Sequence, residues 1–324
     1  DNRKLDWVVG VFYADSDFNG GYGSLGSYTA GVENFLIGEL LVNNRSKSIA
    51  LFANVDYHLN EEFKLTVGAR YFEDDQSKEQ TSNIPDSATF DHVSPMASLS
   101  YTISDDANIY FSIAEGFRSG GFNSQRVGTT ESEKRPSYDP ETVLTYEIGA
   151  KAILLEGRLS TEAALFYSQY ADYQSGTQLI VDDVTAFAIT GNTGEVDIQG
   201  VEWAAQLSVT EQFSVGFNGH YIETKFVSIS DAQQKYSLGD PVDNTPKYSM
   251  SINTKFDFEG PFGAAGFARF DYNVQDGSVV VDGRRTPSRV ESDTIHLVNT
   301  QIGLQWASFS ARLFGRNLSN ESAL

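Results

Sequence analysis

The sequence contains no cysteine. That excludes a disulfide framework, a cysteine-ligated zinc or iron–sulfur site and a thiol nucleophile. Cations are scarce as well: 23 Lys and Arg stand against 44 Asp and Glu in 324 residues, a formal net charge of −21. A nucleic-acid partner, which needs a basic face to displace counterions, is therefore not expected, and neither is a polybasic lipid anchor. Long hydrophobic runs are missing too. The longest, Trp7 to Ala14, spans eight residues, far short of the roughly 18–20 that a membrane-crossing helix requires. No apolar signal-peptide core follows Asp1 to Lys4, so the start of the chain says nothing about export.

What is present is aromatic and alternating. Phe, Tyr and Trp make up 13% of the chain, too rich for a disordered segment. Apolar and polar residues alternate with period two in one segment after another, the pattern of strands with two different faces. From Ser48 to Leu59 one phase reads Ile49, Leu51, Ala53, Val55, Tyr57, Leu59 and the other Ala50, Phe52, Asn54, Asp56, His58. Ile109, Phe111, Ile113 and Phe117 oppose Asn108, Tyr110, Ser112 and Gly116, and Val201, Trp203, Ala205, Leu207 and Val209 oppose Gly200, Glu202, Ala204, Gln206 and Ser208. About thirteen such segments are expected, many near the 9–11 residues of a tilted membrane strand.

The connections between them alternate between tight and long. Tight ones fall at Asn60-Glu61-Glu62, Ser104-Asp105-Asp106, Glu156-Gly157, Thr210-Glu211-Gln212, Glu259-Gly260-Pro261 and Ala307-Ser308. Long ones run from Asp15 to Lys47, Asp75 to Phe90, Arg118 to Pro140, Val227 to Thr245 and Gly277 to Ser292, with a short exception at Asp182-Asp183. Tight turns at one end of every strand and long loops at the other are the signature of an outer-membrane barrel, and Tyr71-Phe72, Tyr101, Tyr146 and Tyr167 to Tyr173 fit its aromatic girdles. The fold expected is all-β, an antiparallel transmembrane β-barrel, partial, forming one domain over residues 1–324. A soluble all-β repeat with its dry face packed on a second sheet is the alternative.

Several segments resemble the TonB-dependent receptors of Gram-negative outer membranes, in particular the ferric-siderophore type. IYFSIAEGFRSGGFN (Ile109 to Asn123) and YDPETVLTYEIGAKAILLEGR (Tyr138 to Arg158) carry the likeness, followed in order by LFYSQYADYQ, NTGEVDIQGVEW, NTPKYS and RNLSNE (Arg316 to Glu321). The resemblance implies an N-terminal plug with a TonB box and closure of the barrel at twenty-two strands. None of these is found in the 324 residues, so the sequence is expected to be the C-terminal part of the barrel, without roughly the first eight strands and the last. It also implies uptake of a scarce ferric chelate energised through TonB, with lipid and lipopolysaccharide as surroundings. A passive porin, or a barrel for adhesion or secretion, is the alternative function.

Catalytic signatures are missing: there is no HExxH, G-x-S-x-G or P-loop, and His58, His92, His220 and His296 stand apart. No enzyme, no metal site and no resident cofactor is expected. Asn19 to Gly26 and Ser119-Gly120-Gly121 read as flexible loop. The acid pairs Asp74-Asp75 and Asp182-Asp183 read as solvated turns, with Ca²⁺ as the alternative. The cations are better placed: Arg118, Arg126, Lys134 and Arg135 share one long loop, and Arg284, Arg285 and Arg289 another. With Phe122, Asn123 and Tyr138 beside them, Arg118, Arg126, Arg135, Arg284 and Arg285 are the candidate contacts for an anionic iron chelate. The alternative pairs these cations with Glu131, Glu133, Asp139 and Glu291 or with lipopolysaccharide phosphates.

Overall fold

The computed structural model describes residues 4–25, 36–80, 86–123, 137–181, 185–230, 235–282 and 288–322. Its strands are β1 (Leu5–Leu25), β2 (Leu36–His58), β3 (Phe63–Gln80), β4 (Asp86–Ser104), β5 (Ala107–Arg118), β6 (Gly121–Phe122), β7 (Ser137–Tyr138), β8 (Glu141–Leu154), β9 (Leu159–Ala171) and β10 (Gln174–Val181). They continue with β11 (Thr185–Asn192), β12 (Gly194–Ser208), β13 (Phe213–Ile229), β14 (Tyr248–Glu259), β15 (Ala265–Gln275), β16 (Val279–Asp282), β17 (Ser288–Glu291), β18 (Ile295–Gln305) and β19 (Ser310–Gly315). Thirteen form one antiparallel sheet in the order β1-β2-β3-β4-β5-β8-β9-β12-β13-β14-β15-β18-β19, matching the expected number. Among the described residues β1 and β19 have no outer neighbour, so the sheet is an open part of a barrel. Their edge N–H and C=O groups would cost several kcal/mol each, as an order of magnitude, if left bare in hydrocarbon.

Away from the edge strands β1 and β19, which are exposed in both phases, the two phases of a strand have different surroundings. Ile49, Leu51, Val55 and Tyr57 on β2, Phe111 on β5, Ile148 on β8 and Leu165 on β9 are exposed, whereas Ala50 in the opposite phase is fully buried. No second layer covers the apolar phase among the described residues, which removes the soluble sandwich. Tyr13, Tyr71 and Tyr221 mark one end of this apolar band; the stacked Phe63–Tyr101 and Trp306–Phe309 pairs mark the other.

All the expected tight turns lie at one end. Asn60 closes the first by accepting from the Glu62 and Phe63 N–H groups, and Thr210 does the same for Gln212 and Phe213. At Leu155–Glu156–Gly157 three successive residues have positive φ, the last a glycine at 86°.

At the other end the sheet runs further than the alternation suggests. The Asp15 to Lys47 and Asp75 to Phe90 segments are largely ladder, continuing to Leu25↔Leu36 and Lys78↔Asp86. Beyond the hydrocarbon both strand faces are wet, so the hydrophobic alternation fades while the backbone bonds persist. Asn19 to Leu25 is therefore strand, not flexible loop. The short exception at Asp182-Asp183 also disappears: the main sheet leaves at Ala171 and returns at Gly194, with the β10–β11 hairpin between, and the two aspartates lie outside the described residues.

Candidate functional site

The polar phase lines a lumen. Near the tight turns a cavity of about 650 Å³ is walled by Thr102, Asn108, Lys151, Gln206, Asn218 and Asn253. Above it a second, about 430 Å³, is lined by Tyr110, Glu147, Glu162, Glu202 and His220. Tyr110 donates to Glu147 at 2.7 Å and Lys151 pairs with Glu162 at 3.4 Å, so the wall's charges are partly compensated within it.

The mouth forms where β5 leaves β4. Their ladder ends at Met96↔Ala114, next to Pro95, which has no N–H to extend it. From there β5 follows β8 alone, as far as Arg118↔Glu141. The parting is filled by His92, whose Nε2 lies 2.6 Å from Glu115 and whose ring stacks on Phe117 at 4.8 Å. The chain then crosses the inner side of β3 and β4, and Lys78 Nζ donates to the Phe122 carbonyl at 3.1 Å. Ser119-Gly120-Gly121 is a close-packed crossing, not flexible loop. A Cβ on Gly120 would lie 2.4 Å from the Tyr138 carbonyl and 2.6 Å from the Phe90 ring.

Around this crossing sits a hydrogen-bonded cluster. Arg118 Nη2 donates to Glu141 Oε2 at 2.7 Å and to the Gln174 carbonyl at 3.1 Å. The Glu141 side chain is only 8% exposed and the Arg118 side chain 55%. The Gln174 amide N–H donates to the same Glu141 oxygen at 2.5 Å, while its Nε2 reaches the Ser119 and Asp139 carbonyls at 2.9 and 3.0 Å. Asn123 binds the Thr190 backbone in both directions, at 2.7 and 2.8 Å. Asn192 accepts from the Asp139 N–H and donates to the Asp139 and Asp172 carbonyls.

Beside it lies an aromatic cluster built on Val196, Phe226, Tyr236 and Val242, against which Tyr170 and Tyr173 pack. Val196 and Phe226 are in the lumen-facing phase of β12 and β13, so the connection after β13 folds inward over the opening. Phe226 stacks on Tyr236 at 4.3 Å and meets the Tyr173 ring edge-on at 5.9 Å. Burial pushes the Tyr173 and Tyr236 phenols up from their ordinary pKa. Lys235 is pulled down by burial and up by its hydrogen bonds to Asp243 and Tyr236; the bonds prevail, and its pKa is raised.

Of the expected ligand contacts, Arg118, Phe122, Asn123 and Tyr138 come together at this crossing. Asn123 is buried and engaged with Thr190, and Tyr138 faces Gly121 across the β6–β7 pair. Arg126, Arg135, Arg284 and Arg285, with Lys134, Glu131 and Glu133, lie outside the described residues. Arg118 pairs with Glu141 rather than Asp139, and Arg289 with the buried Asp240 rather than Glu291. The strand register sets the first partner. Asp74 is taken by Ser46 and Gln76, and Asp75 by Thr89. Among the described residues no three His, Asp or Glu side chains are grouped to hold a metal. Sequence reading missed Glu141, Gln174, Asn192 and Thr193; the one available signal was that each is a polar residue at the edge of a motif.

A family model described as TonB dependent receptor-like, beta-barrel, matches residues 2–318. This chain belongs to the TonB-dependent receptor β-barrel family. The pesticin receptor of Yersinia pestis is 23% identical over 226 residues, 68% of this chain and 32% of that one. The probable TonB-dependent siderophore receptor PiuA of Acinetobacter baumannii is 23% identical over 279 residues, 80% of this chain and 36% of that one. Among solved structures, the ferric yersiniabactin uptake receptor FyuA from Yersinia pestis superposes with a TM-score of 0.78 at 19% identity, over 100% of this chain and 47% of the other. The chain thus spans about a third of the length of these curated relatives. As a TonB-dependent receptor barrel it resides in a Gram-negative outer membrane, and the family consists of receptors and transporters rather than enzymes.

Proposed function

We propose that this chain is the wall and outer mouth of a receptor that captures a scarce ferric chelate of siderophore type and admits it through the lumen, energised through TonB. The observation that carries this reading is the mouth. Its connections fold inward and bond to one another over the lumen, whereas a passive porin keeps a water-filled channel. Relatives named as siderophore or ferric yersiniabactin receptors support the same substrate class.

The chain performs no catalysis in this account. Its residues bind and orient. Tyr138 and the exposed part of Arg118, with Arg126, Arg135, Arg284 and Arg285, offer an anionic chelate cations beside aromatic surface. Phe122 and Asn123 shape the crossing next to Arg118 and Tyr138. Movement inward would require a plug segment pulled by the TonB complex at the expense of the proton-motive force, with lipid and lipopolysaccharide around the outward face.

The test is uptake of radiolabelled ferric chelates by an iron-starved Gram-negative host that carries the full-length receptor as its sole route. Uptake that stops with a protonophore while surface binding persists is the expected result. Uptake indifferent to the protonophore would favour the porin.

A further inference from the structure

The outer connections after β5, β9, β13 and β15 are separate excursions in sequence, yet each is bonded to the next near its foot. The first two are joined through Gln174, Asn123 and Asn192, as described above. Between the second and third, the Ser230 N–H donates to the Thr193 carbonyl and its hydroxyl to the Asn192 carbonyl, both at 2.9 Å. Thr193 is fully buried and donates its own hydroxyl to the Tyr173 carbonyl at 2.6 Å. Between the third and fourth, Arg289 donates to Asp240 and the Asn244 N–H to the Val279 carbonyl at 3.0 Å. Asp240 also accepts from the Ser237 N–H, and its backbone carbonyl accepts from the Phe226 N–H.

We propose that the feet of these four connections open and close as one cooperative unit, with Gln174 and Asp240 as positioning residues toward its two ends. The reason is the shared ownership of buried polar groups. Glu141, Gln174, Asn123, Thr193 and Asp240 are all buried, and a buried donor or acceptor that loses its partner is penalised until it finds another. Detaching one connection strands groups belonging to its neighbour, so the opening that costs least per lost bond detaches them together. Satisfied buried networks rigidify in this way, and such groups of bonds open as units. The aromatic stack of Tyr173, Phe226 and Tyr236 crosses the same junction and adds apolar contact that a single loop cannot keep alone. The proposal concerns the mechanics of the mouth and stands apart from which ligand the mouth receives.

The experiment is hydrogen–deuterium exchange on the full-length receptor in lipid vesicles, followed by mass spectrometry. Gln174→Ala should speed exchange about tenfold or more in the peptides covering 226–242 and 279–282, which Gln174 does not touch, as well as in 186–193. Asp240→Asn should do the reverse, speeding exchange in 119–123 and 137–141, at the far side, as well as in 186–193. A residue that merely props its own loop would leave those distant peptides unchanged. Acceleration confined to the altered connection and its immediate partner would overturn the proposal. If Gln174→Ala yields no heat-modifiable barrel, Ser230→Ala removes a single bond at the middle junction, to the Asn192 carbonyl, and is judged by the peptides covering 119–123 and 279–282, which Ser230 does not touch.

Discussion

Arg118 and Glu141 stand directly opposite each other on β5 and β8, and the guanidinium donates to the carboxylate at 2.7 Å. One partner is buried and the other is half in solvent, so the pair is asymmetric: losing the arginine strands a buried charge. Arg118→Ala should lower the stability of the full-length receptor by about 1–3 kcal/mol, with Glu141→Gln milder because the amide still accepts. Thermal loss of the heat-modifiable gel band measures it. Equal midpoints for wild type and Arg118→Ala would show that the pair holds nothing.

Two glycines near this pair separate backbone necessity from spare room. Gly194 has φ of 137°, and a Cβ there would lie 2.1 Å from the Ser228 carbonyl; Gly176 has nothing within 4 Å. Gly194→Ala should therefore cost ~1–3 kcal/mol or more, whereas Gly176→Ala should be close to neutral. Urea unfolding of both variants checks the contrast, and equal midpoints would contradict it.

Ligand recognition is tested away from the structural cluster. Arg126→Glu with Arg284→Glu should weaken binding of a radiolabelled anionic ferric chelate about tenfold or more, since charge-assisted bonds become repulsions. Equilibrium binding to outer-membrane vesicles reads it. Unchanged affinity would remove both loops from the site.

Leu165→Arg places a charge on the outward face of β9, where Leu165 is 58% exposed in the chain alone. If hydrocarbon covers that face, the charge costs about 2–4 kcal/mol near the bilayer midplane. Ser112→Arg, in the lumen phase, should cost little. The yield of folded receptor and its unfolding midpoint distinguish the two.

The sequence made legible what is local. Period-two alternation marked the staves because hydrocarbon and water lie on opposite sides of them, and Asn60, Gly157 and Thr210 marked turns through their own backbone preferences. Where the strand runs past the apolar band, as from Asp15 to Gly20, the alternation stops marking it and ladder reads as loop. The mouth was legible only in part. Arg118 and Asn123 stand out within a motif, but their partners, Glu141 and Gln174 for the first and Thr190 for the second, are set by strand register and the inward crossing at Gly120. Those depend on contacts between residues far apart in sequence, which period and turn chemistry do not encode. Arg126 and Arg284 stand out by charge alone and lie outside the described residues.

Because the chain has no cysteine of its own, it suits a scan with single introduced thiols carrying nitroxide labels. The sites are Phe111, Ile148 and Leu165 in one phase and Ser112, Glu147 and Ala164 in the other, each changed to Cys in the full-length receptor within bilayers. Oxygen should relax labels in the first set and a water-soluble nickel complex those in the second, alternating residue by residue. Labels in the first set that respond to neither probe, or to nickel as strongly as the second, would mean that those side chains do not face lipid, and the barrel reading would fall.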